Sequence, residues 1–288
     1  MLIIAGIIPL PNFSLLDGQV QREGTELKLN EHQIPSTQGT AAMISAALAV
    51  SDHFRMVAPR AVIAGDIGRG DGSRLIYQYL IDHLPRLKPK VLALHYWMPD
   101  LELMHQLCEQ VKALETRPVL IADAASMYAA KAVGLASEFD VFTPDLSEIA
   151  FLADAEAIHP AYIDKHLFET CDVRSIPELI AEAYKNQGAA RYMLVKGESD
   201  FVANEEGILA SIAGPDVPAL ECIGGTGDTI TGMCAALIYK GLDISSALEI
   251  SARANRLAGA RGKTTPATRI SEIIARLPEV FRREINLE

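Results

Sequence analysis

The sequence contains little cysteine, and what it contains is scattered. Its 288 residues include 4 cysteines, and no two of them form a Cys-x-x-Cys pair. This spacing excludes a zinc finger or a disulfide framework, and a chain of this length buries enough apolar surface to fold without either. We therefore expect free thiols in a reducing compartment and a cytoplasmic protein. The cysteines are Cys108, Cys171, Cys222 and Cys234.

Long hydrophobic runs are also missing. An apolar segment near the start, residues 2–8, is too short for a membrane span and is followed by Pro9 and Pro11. No basic residues precede it and no small-residue cleavage site follows it, which is unlike a secretory signal. The sequence predicts no membrane partner, and we interpret residues 2–8 as a first buried strand.

Positive charge is scarce. There are 26 Lys and Arg against 37 Asp and Glu, so the formal net charge is −11. An acidic protein repels the phosphate backbone, which argues against nucleic acid as a partner. The same field repels small phosphorylated ligands. A site for them would need local compensation from Lys, Arg, backbone amides or a metal ion.

Short apolar runs alternate with stretches of helical spacing over much of the chain. This alternation predicts an α/β fold with a mostly parallel sheet covered on both faces, followed by successive helices near the end. Polar residues 17–35, with a turn-like Glu23-Gly24, predict a small solvent-facing hairpin. The predicted strands cover residues 2–8, 61–64, 91–94, 119–122, 141–142 and 192–195, and the predicted helices cover 41–50, 73–83, 101–114, 176–185, 230–238, 247–258 and 270–281.

A glycine cluster that leads directly into an amphipathic helix, residues 223–232, is the segment most informative about chemistry. Glycines let successive backbone N–H groups point inward, and a helix N-terminus adds partial positive charge, so phosphate oxygens suit this position. Asp228 would lie beside that phosphate, where the helix end keeps it ionised and able to take a proton from an attacking hydroxyl. The alternative is a tight glycine turn in which Asp228 only caps the helix.

Two common nucleotide-binding patterns do not fit. The loop from Gly65 to Gly72 fails the G-x-G-x-x-G dinucleotide fingerprint, because Ser73 stands at its last position. Gly262-Lys263-Thr264 imitates the end of a P-loop, but Leu257 replaces the first glycine of that motif. Neither a dinucleotide fingerprint nor a P-loop is predicted.

The glycine cluster resembles the signature of the ribokinase-like superfamily, and other segments between about residues 36 and 262 agree with it in order. The resemblance is closest to the nucleotide-dependent NAD(P)H-hydrate dehydratases, which are related to carbohydrate kinases. It implies one ribokinase-like domain over residues 1–288, a three-layer α/β sandwich, with 17–35 as a small lid. It also implies that Asp228 is the catalytic base. The motif is Gly225-Thr226-Gly227-Asp228.

The segment Thr143-Pro144-Asp145-Leu146-Ser147-Glu148 is similar to a superfamily segment whose acid holds Mg²⁺ through water. Glu148 is the matching acid. Asp145 departs from the usual Asn of the kinases and His of the dehydratases, so it is a weaker candidate for the metal. The alternative is a helix start in which Pro144 opens the helix and the two acids favour its positive end.

Further residues are implied on the phosphate side of the site. Lys196 ends a predicted strand and resembles the Lys-Gly strand end of the dehydratases, where it would supply positive charge. A solvated strand-end lysine is the alternative. Asn255 lies in the helix that related sugar kinases place beside adenine. The implied nucleotide- or phosphate-binding residues are Gly225, Thr226, Gly227, Lys196, Gly197 and Asn255.

Substrate contacts are implied at four other segments. Val119 to Ala124 resembles a dehydratase strand that ends in Asp-Ala-Asp, with Ala122 in place of the first Asp. Trp97 follows a strand and could stack on a flat ligand, although a hydrophobic plug is the more ordinary role. The implied substrate residues are Gly39, Asp66, Gly68, Asp123 and His95.

These features predict phosphoryl transfer from ATP or ADP, with Mg²⁺, to the hydroxyl of a small molecule. If the chain is a dehydratase, the substrate is hydrated NADH or NADPH, and phosphate is then lost. If it is a kinase, a sugar, pyrimidine or nucleoside keeps the phosphate. A nucleotide-binding regulator without turnover is a third hypothesis, based on Asp145 and Ala122. The sequence also allows a homo-oligomer.

Overall fold

The computed structural model describes residues 1–157, 175–285 and 287, so Cys171 lies outside the described residues. Cys108, Cys222 and Cys234 are free thiols, as expected. The strands are β1 (Leu2–Ile8), β2 (Leu16–Glu23), β3 (Glu26–Leu29), β4 (His32–Pro35), β5 (Arg60–Gly65), β6 (Val91–His95), β7 (Val119–Asp123), β8 (Val141–Phe142), β9 (Tyr192–Val195), β10 (Asp200–Asn204) and β11 (Gly207–Ile212). The helices are α1 (Gly39–His53), α2 (Asp71–Leu87), α3 (Leu101–Lys112), α4 (Ala125–Ala132), α5 (Leu146–Ala153), α6 (Ile176–Lys185), α7 (Thr226–Lys240), α8 (Ile244–Ala260) and α9 (Ile270–Arg283).

All the described strands form a single sheet in the order β11-β10-β9-β8-β7-β6-β1-β5-β2-β3-β4. The strands from β9 to β5 in that order run parallel, and antiparallel strands extend both edges. Helices α1, α7, α8 and α9 cover one face, while α2 to α6 cover the other. The predicted three-layer α/β sandwich is therefore confirmed.

The segment 17–35 is more closely joined to the fold than a solvent-facing hairpin would be. β2 and β3 pair antiparallel around the predicted turn, β4 adds a further strand, and β2 also pairs with β5. The inward-facing side chains of these strands are buried: Val20, Leu27, Leu29 and Ile34. The hairpin prediction is thus incomplete, because alternate side chains face the core. The lid role stays a prediction.

Helices α1 and α7 pack closely because of a glycine. A Cβ atom placed on Gly232 would lie 2.1 Å from the backbone oxygen of Met43. We expect Gly232→Ala to destabilise the protein by about 1–3 kcal/mol, since the cost of overpacking exceeds the gain in helix propensity. Urea unfolding measures this difference. An unchanged or raised midpoint would contradict the close helix packing.

The parallel strands bring several polar residues to one edge of the sheet. His95 ends β6, Asp123 ends β7, and Lys196 follows β9 directly. Carboxyl ends of parallel strands form the usual ligand-binding edge of an open α/β sheet. The candidate site therefore lies at this edge. Among the described residues, no helix is both long and apolar enough to cross a membrane.

Candidate active site

Two acids and two basic side chains meet at the carboxyl edge of the sheet. The Nζ atom of Lys196 donates to Oδ1 of Asp123 over 2.9 Å. The Nε2 atom of His95 lies 3.0 Å from Oδ1 of Asp228 and 3.9 Å from Oδ2 of Asp123. We call Asp123, Lys196, His95 and Asp228 the charged cluster. The ion pair between Lys196 and Asp123 compensates charges that would otherwise be costly to bury.

Asp228 lies in the first turn of α7. Gly225 is the N-cap residue, with φ of 99°, a conformation that favours glycine. It supplies no side-chain cap, so the first N–H groups of α7 remain available to a ligand. The N–H of Gly39, at the start of α1, donates to Oδ2 of Asp228 over 2.6 Å. Burial alone would raise the pKa of Asp228, but the hydrogen bonds from His95 and Gly39 and the charge of Lys196 bring it below the usual range. The structure therefore supports an ionised Asp228.

Asp123, at the end of β7, holds Lys196 in place across the intervening strand β8. Its carboxylate also accepts from the backbone of Ala124 and, over 2.6 Å, from the hydroxyl of Thr231. Burial would lower the pKa of Lys196, but the charges of Asp123, Glu148 and Asp228 and the hydrogen bond that Lys196 donates to Asp123 raise it. Lys196 is therefore a fixed cation rather than the solvated lysine that the sequence left open.

The backbone is unusual directly after two of these residues. Tyr96 follows His95 with φ of 58°, and Ala124 follows Asp123 with φ of 54° and ψ of −139°. Residues with a Cβ rarely adopt these conformations, which are typical of functional sites where surrounding contacts hold the chain. The backbone after these two strands is therefore held in conformations of higher local energy.

Glu148 and Asp145 form a capping box at the start of α5. Oδ1 of Asp145 accepts from the N–H of Glu148 over 2.9 Å, and Oε2 of Glu148 accepts from the N–H of Asp145 over 2.8 Å. Asp145 is the N-cap residue and Leu146 the first residue of α5, so both acids lie at the helix start as the alternative predicted, but Pro144 precedes the helix and does not open it. Burial raises the pKa of Glu148 to about 8; Lys196 opposes this, while Asp123 and Asp145 add to it.

A cavity of about 350 Å³ lies over this edge, a size usual for small-molecule sites. Tyr96 and Arg256 also line it, although neither was predicted as a site residue. Trp97 is fully buried and packs on Tyr77, which confirms the hydrophobic plug. The predicted residues that line the cavity are Asp123, Asp145, Glu148, Lys196, Gly197, Gly225, Thr226, Gly227, Asp228 and Asn255.

Arg256 organises the turn that follows Lys196. Its Nε atom donates to Oδ2 of Asp200 over 2.7 Å, and Nη2 donates to the carbonyl oxygens of Gly197 and Glu198. In the sequence, the position of this arginine among the apolar residues of α8 is the feature that indicates such a role, because a buried guanidinium needs partners. The Oδ1 atom of Asn255, its neighbour, accepts from the hydroxyl of Thr229 over 2.9 Å.

Asp66 and Gly68 belong to another loop. The carboxylate of Asp66 accepts from the N–H groups of Gly68, Arg69, Gly70 and Ser73 and from the hydroxyl of Ser73, at 2.9–3.1 Å. These contacts shape the loop that leads into α2. They explain the position of Asp66 without a ligand, and its substrate role stays a prediction together with that of Gly68.

We expect Asp66→Asn to cost about 1–3 kcal/mol of folding stability, because a charged acceptor of several buried N–H groups becomes a neutral amide. Burial would raise the pKa of Asp66, but these hydrogen bonds lower it. The stabilisation is therefore present at neutral pH and is lost as the pH falls through the lowered pKa. Urea unfolding should show the two proteins converging in acid. A constant difference across pH would contradict this explanation.

Comparison with known proteins identifies the family of this chain. The model of the Carb_kinase family, described as NAD(P)H-hydrate dehydratase, matches residues 90–276, which is more than half of the chain. The chain belongs to the NAD(P)H-hydrate dehydratase family. This is a family of enzymes, so the resemblance predicted from the sequence is confirmed. The match starts after Gly39 and the loop from 65 to 72, so it does not extend to those predictions.

Two relatives of this dehydratase-family chain are similar to it in sequence. It is 37% identical over 243 residues to an uncharacterized protein of Methanocaldococcus jannaschii, covering 84% of this chain and all of that protein. It is 30% identical over 179 residues to the bifunctional NAD(P)H-hydrate repair enzyme Nnr of Pyrobaculum aerophilum. That match covers 61% of this chain and 32% of the repair enzyme, so the chain spans about a third of this relative.

Solved structures share the fold of this family member. One is the ADP/ATP-dependent NAD(P)H-hydrate dehydratase from Bacillus subtilis, co-crystallized with ATP and Mg²⁺ and soaked with CoA. It has 15% identity, a TM-score of 0.56, and coverage of 98% of this chain and 91% of that chain. Another is a ribokinase-like superfamily protein from Enterococcus faecalis, with 13% identity, a TM-score of 0.57, and coverage of 98% and 87%. The ribokinase-like fold is confirmed.

Proposed function

We propose that this protein is an ADP- or ATP-dependent NAD(P)H-hydrate dehydratase. The observation that carries the proposal is the position of Asp228 in the first turn of α7, on the wall of a cavity that Lys196 also lines at the carboxyl edge of the sheet. Family membership supplies the substrate class, hydrated NADH or NADPH. The B. subtilis structure with ATP and Mg²⁺ supports a nucleotide as the phosphoryl donor.

The N-terminus of α7 would bind the nucleotide phosphates. Gly227 leaves room for phosphate oxygens next to N–H groups that have no partner within the helix. A Cβ on Gly227 would lie 3.3 Å from Nζ of Lys196, so the lysine lies directly over this turn. The open helix end and Lys196 together supply the positive charge that the acidic chain otherwise lacks.

Asp228 would act on the hydroxyl of the hydrated nicotinamide ring. It accepts the hydroxyl proton as the oxygen forms a bond to the transferred phosphorus and the donor is released as the shorter nucleotide. The ring C–O bond then breaks, phosphate leaves, and loss of a ring proton restores the dihydronicotinamide. A weak base is sufficient because phosphoryl transfer depends mainly on positioning and charge stabilisation.

Magnesium fits the acids at the start of α5. Burial and two neighbouring acids raise the pKa of Glu148 to about 8, although Lys196 opposes them, so its ionised form lacks full compensation. Oxygen ligands of this kind suit Mg²⁺, which usually retains water. We propose that Glu148, through water, and Asp145 hold the ion. When bound, it would neutralise phosphate charge.

The deciding experiment incubates the protein with hydrated NADH, Mg²⁺ and either ADP or ATP. We expect the absorbance of reduced nicotinamide to return with release of one phosphate per NADH. No recovery with either nucleotide would reject the proposal. A stable phosphorylated product from a sugar, pyrimidine or nucleoside would identify a kinase instead. Nucleotide binding without transfer to any acceptor would favour the regulator.

The same assay distinguishes the effect of charges within the site from the effect of the net charge of the protein on phosphate binding. We expect chelation of Mg²⁺ to remove nearly all activity, whereas added NaCl should change it by roughly threefold or less. Salt screens exposed charges effectively, but the charged cluster is buried and the helix N–H groups are fixed. Rates are measured in EDTA and across a salt series. A response to salt as large as the response to EDTA would show that the bulk field governs phosphate binding.

A further inference from the structure

His95 occupies a position behind Asp228. The ring is completely buried, whereas the carboxylate of Asp228 reaches the cavity wall. One ring nitrogen, Nε2, faces Asp228, and the other, Nδ1, lies 2.9 Å from the hydroxyl oxygen of Thr40. A side chain so placed acts on a substrate only through Asp228. Its protonation state therefore decides what it does.

The hydrogen bonds around the ring fix that state. The hydroxyl of Thr40 lies 2.6 Å from the carbonyl oxygen of Ile7, which can only accept, so we assign its single proton to that shorter contact. In the contact between Thr40 and His95, the donor must then be a protonated Nδ1. At 3.0 Å from the ionised carboxylate of Asp228, Nε2 must also carry a proton. With protons on both nitrogens, the ring is an imidazolium cation.

The charges in the cluster require the same state. Lys196 donates directly to Asp123, so this cation is committed to that acid. Asp228 also receives the N–H of Gly39, which favours its ionised form. A buried carboxylate needs a partner of opposite charge. His95 is the group in contact with Asp228 that can provide it.

Strand β1 makes room for this arrangement. A Cβ atom on Gly6 would lie 2.5 Å from Oγ1 of Thr40 and 2.8 Å from the backbone oxygen of His95. A glycine within a strand often marks such a close approach. Gly6 therefore allows Thr40 to reach both Ile7 and the imidazole ring.

We propose that His95, kept doubly protonated by Thr40, is the positioning residue of Asp228: it supplies the N–H bond and the positive charge that hold this carboxylate ionised and aimed into the cavity. The proposal rests on the proposed function only in treating Asp228 as the base. The state of the ring can be measured without any turnover.

The groups that face the ring set the direction of the pH effect. Asp228 on α7 and Asp123 on β7 lie 3.0 and 3.9 Å from Nε2, Thr40 on α1 contacts Nδ1, and Tyr96 packs edge-on against the ring. Lys196, which follows β9, binds Asp123. Removing the imidazolium takes away the hydrogen bond and the charge of His95, which oppose the effect of burial on Asp228 together with Lys196 and Gly39. The pKa of Asp228 should then rise, and activity should be lost at a higher pH.

The first test is NMR of protein labelled with ¹⁵N at histidine, with the His95 signals identified by their loss in His95→Gln. At pH 7 we expect both ring nitrogens of His95 to carry protons. In Asp228→Asn, which removes the negative charge, the ring should become neutral. A neutral His95 in the wild-type protein would overturn the proposal, whatever the outcome of the dehydratase assay.

The second test is the pH profile of kcat with hydrated NADH. In His95→Gln, which retains an N–H donor but not the charge, we expect the acid limb to move up by about 1 pH unit or more. The KM for the nucleotide should change by no more than about twofold, because His95 acts through Asp228. His105→Gln, at an exposed position on α3, is the matched control and should leave the profile unchanged. A uniform loss of rate with an unmoved limb would mean that His95 is merely structural.

A pair of Thr40 variants covers the case in which His95→Gln does not fold. Thr40→Val removes the acceptor for Nδ1–H at nearly constant volume, so the ring should lose its second proton and the acid limb should move up. Thr40→Ser keeps the hydroxyl and should restore the wild-type limb. Identical limbs in the two variants would overturn the proposal. If the wild-type protein shows no dehydratase activity, the NMR result decides alone.

Discussion

Replacing Asp228 with asparagine should lower dehydratase turnover by roughly 10²–10⁴-fold, the usual contribution of a general base. The asparagine oxygen can still accept from the N–H of Gly39, and its amide can donate to a neutral His95, so the fold should persist. Nucleotide affinity should be retained or improved, because an anion beside the phosphates is removed. Turnover is measured by NADH recovery and binding by calorimetry.

Asp82→Asn is the matched control for this substitution. Asp82 is exposed on α2, where its carboxylate accepts from Gln78, and its loss should leave turnover unchanged. An Asp228→Asn variant with near wild-type turnover would remove Asp228 from the reaction. Equal losses of turnover and nucleotide binding would instead point to a damaged site.

Lys196→Met should be the most destabilising of the proposed substitutions, by about 3–5 kcal/mol, since it leaves buried acids without their cation. Nucleotide affinity should fall as well, because the glycine turn of α7 loses the charge that lies over it. Lys196 also lowers the pKa of Glu148 against the effect of burial. Without it that pKa rises further, so the variant should recover stability relative to wild type as the pH falls.

Urea unfolding at several pH values and calorimetry with ADP measure these two effects. Lys185→Met, at an exposed position in the last turn of α6, is the control and should change little. The double variant Lys196→Met with Asp123→Asn should recover part of the lost stability, because one of the unpaired acids is neutralised. No coupling between the two substitutions would mean that their ion pair contributes nothing to folding.

Local sequence signals predicted the parallel core well. The central strands are continuous apolar runs, and β1, β8 and β9 begin and end where the pattern does. Strands β10 and β11 lie toward a sheet edge and are partly exposed, so they lack such a run. β3 and β4 are short and show a buried face only on alternate residues. Edge strands of this kind are specified mainly by their neighbours.

The candidate site was predictable where its residues are adjacent in the chain. The glycine cluster with Asp228 and the strand end at Lys196 are contiguous motifs, and the structure brings them together. The partnership of Thr40 with His95 joins residues 55 positions apart, and no local pattern indicates it. Asp66 shows how a local pattern leaves a role open: an acid in a glycine loop suggests a ligand, but backbone N–H groups also bind its oxygens, and its substrate role stays a prediction.

The close approach at Gly6 also has a consequence for recognising similar proteins. A side chain at that position would displace Thr40, and without Thr40 the imidazole of His95 would lose the acceptor that keeps it charged. The arrangement therefore works as a set of Gly6, Thr40, His95 and Asp228, drawn from four separate elements. A protein using the same device should carry all four together, as a dispersed signature that searches for contiguous motifs would overlook.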